Sequence, residues 1–293
     1  MLRIVLKIAL ALLFLPAFCL ARPVADADPP SFSNDPDLTA GFRLLYEQKF
    51  PEGRAKFIAW QTQHAENPFG EVAVAASYLF EEFYAKGVLT SEFFLDDEMF
   101  LGGIKGKPDA ERMKQFLEAL GRARVLARAR LKNTPKEPES LFSLTIAAGM
   151  ESDADSILLK KPFDALKRLK EANESAKLLL VVRPDAKDAY VALGSSNYII
   201  GSLNPGFRML LWFDNVHGDK TLGMQQVQIT ADNGRYLRPF ARILLALAAR
   251  REKQNALAQK LLLQLTEEFP ASPLFAAEYS KLQAQWVPAK NNP

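Results

Sequence analysis

Few residue types in this chain suit covalent or acid–base chemistry. Its one cysteine, Cys19, lies in an apolar N-terminal run, so the rest of the chain has no thiolate nucleophile, disulfide or cysteine-based zinc site. The two histidines, His64 and His217, are far apart, and His217 falls in a turn before Gly218-Asp219; a lone imidazole makes no metal site. No serine sits in a Gly-x-Ser-x-Gly elbow, and Gly194-Ser195-Ser196 lies inside a helical pattern, where Ser195 reads as a small helix-face residue. Gly102-Gly103-Ile104-Lys105-Gly106-Lys107 has the look of a phosphate loop. That loop needs glycine at position 101 and serine or threonine at 108, and the chain has Leu101 and Pro108. No pattern implies a cofactor.

Carboxylates are the remaining chemistry. Asp96-Asp97-Glu98 and the Asp153/Asp155 pair lack the alternating ligands and central glycine of a calcium loop, and read as solvated loop and helix-end charges. Glu81, Glu82 and Asp97 would serve a hydrolase or lyase acting on an envelope polymer if the fold brought two of them face to face. A basic run follows at Arg122, Arg124, Arg128, Arg130 and Lys132. At 100° per residue, Arg124, Arg128 and Lys132 share one helix face, a docking stripe for an acidic partner or anionic headgroups.

The elements that must position these residues are helical. The 293 residues are 48% hydrophobic and 24% charged, an ordinary globular balance. Met1–Ala21 has a basic flank, an apolar run from Ile8 to Phe18 and a small residue before Arg22, the pattern of a secretory signal cleaved after Ala21. Bulky Phe18 before Cys19 fits a lipobox poorly, which favours a soluble exported protein over a lipoprotein. Loss of Arg3 and Lys7 with the leader lowers the formal charge from +3 to +1, too little for a general nucleic-acid binder. No later run is long enough to span a membrane.

Residues 22–36 form a Pro-rich linker. From Asp37 to about Gln285 the apolar spacing is that of helices, with no strand alternation, so the chain is expected to be all-α. The expected helices include one opened by Pro51 with Phe57, Ile58 and Trp60 on its buried side, and Val72–Ala85. Others are Asp109–Lys132 capped by Asp109, Glu139–Glu151, Phe163–Val182, Lys187–Ser202, Phe207–Phe213, Lys220–Asp232, Arg235–Lys253 and Ala256–Phe269, with a last one over about Leu274–Gln285. Gly87–Pro108 is expected as an ordered loop with its aromatics tucked into the core, and 286–293 as a disordered tail.

The spacing Ala258, Leu262, Leu265, Pro270 repeats that of Ala172, Ala176, Leu179, Pro184, and Tyr190, Leu193, Gly194 and Tyr198 follow the latter. Helix starts near Asp37 and Gly70, and near Arg235 and Ala271, lie about 34 residues apart. This pattern resembles the tetratricopeptide repeat, here degenerate and interrupted by insertions near Gly87–Pro108 and Asn204–Gly218. The stretch from Gly218-Asp219-Lys220 through Gly234-Arg235-Tyr236-Leu237 to Phe269-Pro270 is similar to exported bacterial proteins of that class.

The resemblance implies an α-solenoid of antiparallel helix pairs over residues 37–285, with the first helix of each pair lining an inner surface that holds peptides or partner helices. On that basis Asp188, Ser195 and Tyr198 face inward, and Arg250 and Arg251 occupy the corresponding places on the Arg235 helix. A carboxylate clamp of the family's kind would need a further matched lysine or asparagine, which the chain does not offer. The expected function is a non-enzymatic scaffold or adaptor with a protein or peptide partner in the cell envelope. The alternatives are the envelope-polymer enzyme and a membrane-tethered assembly factor.

Overall fold

The structure, a computed structural model, describes residues 35–203, 205–206 and 217–286. The expected leader with Cys19, nearly all of the linker, the helix at Phe207–Phe213 and the tail from 287 lie outside the described residues. Among those described there are thirteen α-helices and no strand, so the chain is all-α.

The helices begin where local chemistry dictates. In α1 (Pro36–Tyr46) the Asp35 side chain accepts from the N–H groups of Asp37 and Leu38, Pro36 opens the first turn, and Leu38, Phe42, Leu45 and Tyr46 are buried. In α2 (Phe50–Gln63) Phe57 and Trp60 are buried, but Ile58 is 50% exposed: it lies on the flank of the stripe, outside the arc that α1 and α3 cover. Asn67 caps α3 (Pro68–Ala85). Asp109 caps α6 (Ala110–Asn133), as its position before the periodic run predicts. Between these, Gly87–Pro108 is not a loop throughout. It holds two short helices, α4 (Ser91–Leu95) and α5 (Asp97–Gly102), the second capped by Asp96.

Next comes α7 (Pro138–Asp153), which continues into a π-turn at Ala154–Leu158 and then α8 (Pro162–Val182). At Gly103, with φ +74°, an added Cβ would collide with the Ile157 carbonyl oxygen, to which Ile104 N–H donates at 2.9 Å. The phosphate-loop look-alike is therefore a structural turn that only glycine can make there. A 3₁₀ turn at Lys187–Ala189 precedes α9 (Tyr190–Ser202). After α10 (Lys220–Asn233), residues 235–237 form a separate turn, and α11 begins only at Arg238 (Arg238–Arg251). The chain ends in α12 (Asn255–Glu268) and α13 (Pro273–Trp286).

Sequential helices pack on one another along the chain: α1 on α2, α2 on α3, α6 on α7, α7 on α8, α9 on α10, α10 on α11, α11 on α12. This succession of pairs is consistent with a solenoid. The apolar marks of the repeat pattern (Ala172, Ala176, Leu179, Ala258, Leu262 and Leu265) are all buried in these seams.

The two ends of the succession meet. Tyr46 Oη donates to the Tyr236 carbonyl at 2.8 Å, Asp35 N–H donates to Tyr236 Oη at 3.1 Å, and Arg43 reaches the Glu268 carbonyl at 3.0 Å. Phe42 stacks on Tyr236 with centroids 5.0 Å apart, Phe69 on Tyr236 at 5.4 Å, and Phe69 tilts on Phe142 at 5.0 Å. Residues some 190 positions apart thus share one aromatic core. That core draws on α1, α3, α7 and the turn before α11.

Candidate functional site

A partly open apolar cleft lies beside α10. Its origin is geometric. Helices α9 and α11 both pack on α10 rather than chiefly on each other. On the α9 side the approach is very close: a Cβ on Gly223 would come within 2.5 Å of the Tyr198 nitrogen, and one on Gly194 within 2.7 Å of the Val227 nitrogen. The channel left between α9 and α11 has Met224 and Val227 as its floor. Ser195, Tyr198 and Ile199, at i, i+3 and i+4, form one wall. Leu244, Leu247, Ala248 and Arg251, at i, i+3, i+4 and i+7, form the other. Phe94 and Phe100, from α4 and α5, form the roof.

The roof is pinned from several sides. Ser91 N–H donates to Glu278 Oε2 at 3.0 Å, and Lys281 pairs with Glu92 at 2.8 Å. Arg251 donates to Asp97 Oδ1 at 2.5 Å and to the Phe94 carbonyl, and its guanidinium lies 4.6 Å from the Phe100 ring centre. At the rim, Tyr198 Oη donates to Glu252 Oε1 at 3.2 Å, and Lys220 reaches the same oxygen at 2.8 Å. Burial first, and the Glu252 anion second, push the Tyr198 phenol up to about 12. It therefore stays a neutral donor. The Ser195 hydroxyl has no hydrogen-bond partner among the described residues.

Three of the five residues assigned to the inner face, Ser195, Tyr198 and Arg251, therefore come together on this cleft. The other two do not. Asp188 is 4% exposed and accepts from the N–H groups of Arg235 at 2.7 Å and Tyr236 at 3.0 Å, tying the turn before α11 to the start of α9. Burial lifts its carboxyl to about 6 against the pull of those N–H groups. It is a structural anchor, not a contact surface, because the packing of α10 on α9 brings the 234–236 turn over it. Arg250 points away from the cleft. It is buried against α13, donating to Gln285 Oε1 at 2.7 Å with Glu278 at 3.9 Å, beside a second pocket.

The basic stripe is also shorter than its spacing suggests. Arg124 turns inward, where Glu151, at 2.6 and 3.0 Å, and Glu171 enclose it. Glu71 pairs with Arg122 at 2.8 Å, and Glu137 and Glu139 pair with Arg130 at 2.9 and 3.1 Å. Arg128 and Lys132 remain exposed, with no acidic partner among the described residues.

The carboxylates weighed for catalysis are spoken for. Glu82 is fully buried, accepts from Asp109 N–H at 3.0 Å and pairs with Arg112, while Glu81 pairs with Arg54. Asp97 is bound to Arg251, and Asp96 caps α5. Asp153, at the α7–π-turn junction, is raised to about 7 by burial. Asp155 is raised by burial and by Asp164. His217 lies exposed before α10. Among the described residues no three histidine, cysteine, aspartate or glutamate side chains gather where a metal could sit, and no helix is long and apolar enough to cross a membrane.

The sequence reading missed the walls and roof of the cleft. Phe94, Phe100, Met224, Leu244 and Leu247 carry no local signal that separates a half-covered apolar side chain from a core one. No family model matches the chain, and a comparison with curated proteins finds no match.

Proposed function

We propose that the protein is a non-enzymatic interaction scaffold or adaptor, built from tetratricopeptide-like helix pairs and exported to the cell envelope. In this reading it docks an acidic amphipathic segment of a partner protein on the outer face of α6. The repeat reading is supported by the seam positions Ala172, Ala176, Leu179, Ala258, Leu262 and Leu265, all buried at matching places. Pro184 and Pro270 lie two residues beyond the ends of α8 and α12, as stop signals should. A binding role is further supported by the state of Glu81 and Glu82. Their arginine partners hold them as structural ion pairs, unlike a general acid kept neutral beside a free base.

The observation that carries the docking face is the outer stripe of α6. Leu117 is 49% and Val125 70% exposed, and a side chain added at Gly121 between them would meet nothing. Arg128 and Lys132 continue this stripe as exposed cations without acidic partners among the described residues, so an apolar segment bearing carboxylates at one end is complementary to it.

The test is a photo-crosslinking amino acid at Val125 in the exported protein, with the same group at exposed Val181 on α8 as control. A discrete adduct is expected at position 125, absent at 181, and lost in the Arg128→Glu/Lys132→Glu double variant. An adduct indifferent to charge reversal, or none, overturns the proposal. Mass measurement of the mature N-terminus checks export separately: a chain starting at Arg22 is expected.

A further inference from the structure

A second site stands apart from the α6 face. We propose that the cleft between α9, α10 and α11 binds a single-chain anionic amphiphile, with its hydrocarbon tail under Phe94 and Phe100 and its carboxylate on Arg251 and Ser195.

The cleft is a partly open channel whose lining is apolar apart from groups contributed by Ser195, Tyr198 and Arg251, the composition of a site for an apolar chain with a polar end. An apolar channel of this kind holds water poorly, since water there finds few hydrogen-bond partners. The few polar groups therefore specify orientation. Ser195 brings a hydroxyl with no partner among the described residues. Tyr198 is committed to Glu252, and Lys220 neutralises that carboxylate, so neither adds free charge.

Arg251 selects the sign of the headgroup. Its side chain is 19% exposed and lies over the Phe100 ring, so it is partly stripped of water. Its present anion is Asp97, which is 77% exposed and sits on a helix of six residues. An ion pair with so exposed a partner is weak and exchangeable. A carboxylate arriving on a buried tail would meet the same guanidinium in a drier setting, where charge-assisted hydrogen bonds are stronger. Asp97 thus acts as a stand-in anion, and removing its charge should help the ligand.

Isothermal titration with dodecanoate below its micelle concentration tests this, with dodecanol and dodecyltrimethylammonium as neutral and cationic probes of the same tail. Saturable binding in the order dodecanoate, dodecanol, dodecyltrimethylammonium is expected. Asp97→Asn, at an exposed position that does not endanger the fold, should tighten dodecanoate about threefold to tenfold and leave dodecanol unchanged. Ala248→Phe, which fills the channel, should weaken all tails by more than about tenfold; if it fails a circular-dichroism check of folding, Met224→Trp replaces it.

Absence of saturable binding, equal affinity for the cationic probe, or an Asp97→Asn variant that binds dodecanoate no better overturns the proposal. So does preferential displacement by a short peptide with an apolar residue at a free C-terminus, which would make the cleft a peptide site.

Discussion

Replacing Tyr46 by phenylalanine tests whether the two ends of the helical array are truly one structure. The Tyr46 hydroxyl, on a residue 7% exposed, donates to the Tyr236 carbonyl at 2.8 Å across 190 positions of sequence. Burial is the leading cause of its strongly raised pKa, so at neutral pH it is always the donor. Phenylalanine keeps the ring contact with Phe269, centroids 5.4 Å apart, and removes only the hydrogen bond.

A buried neutral bond of this kind is worth about 1–2 kcal/mol when its donor is deleted. For a domain of this size that corresponds to a Tm lower by roughly 2–8 °C with an unchanged denaturant slope. The location of the loss is more diagnostic than its size. If the ends are coupled, amide exchange should quicken about tenfold in α1 and equally in α11 and α12, since about 1.4 kcal/mol is tenfold in an opening constant. Hydrogen exchange read by mass spectrometry resolves these helices. Faster exchange confined to α1 and α2, or a stability change under about 0.5 kcal/mol, would refute closure through Tyr236.

Two further outcomes follow from specific positions. Gly223→Ala places a Cβ 2.5 Å from the Tyr198 nitrogen, a backbone atom that cannot rotate away, so α9 and α10 must separate; urea unfolding should show a loss of about 1–3 kcal/mol or more. Asp153 has a folded-state pKa raised to about 7. The folded chain therefore keeps a proton that the unfolded chain releases near pH 4, and the stability from this group is full below about pH 4 and lost as pH rises through 7. Asp153→Asn should flatten that decline and stabilise the protein at pH 8 by about 1–3 kcal/mol, a discounted figure because the side chain is only partly covered. A pH–stability profile identical to that of the parent would show that burial does not control this carboxyl.

The helices were legible where their determinants are local. Asp109 and Pro51 mark starts by capping or first-turn chemistry within a few residues, and the apolar stripes follow directly, whereas α3 opens at Pro68 under an Asn67 cap, four residues before the Val72 start that its apolar run suggests. The α4–α5 insertion was not legible, because two helices of five and six residues carry too few turns to show a period. Site residues divide the same way. Ser195 and Tyr198 share a helix face by spacing alone, and Arg251 was placed by the repeat pattern. Arg124 was misplaced because the carboxylates that bury it come from 27 and 47 positions away. Asp188 was misplaced because its partners, the N–H groups of the 235–236 turn, lie 47 and 48 positions away and reach it only through the packing of α10 on α9.

Closure also decides where such a chain can bind anything. In an open array of helix pairs the concave side is the natural binding surface, because apolar stripes are spent in the seams and polar side chains line the groove. Here Phe42, Phe69, Phe142 and Tyr236 pack as one aromatic core where the two ends of the succession meet, and Asp188, assigned to the inner face by spacing, is consumed in holding a turn. What remains is the outer surface and any seam that cannot seal. The α9–α11 seam cannot, because both helices lean on α10, one of them drawn in by Gly194 and Gly223 until the backbones nearly touch. A channel left by packing on a shared neighbour is apolar by construction, since its walls are the flanks of core stripes. Its selectivity must come from the few groups at its rim. That places the burden on Arg251, which reaches both the roof of the channel and an anion that it can exchange.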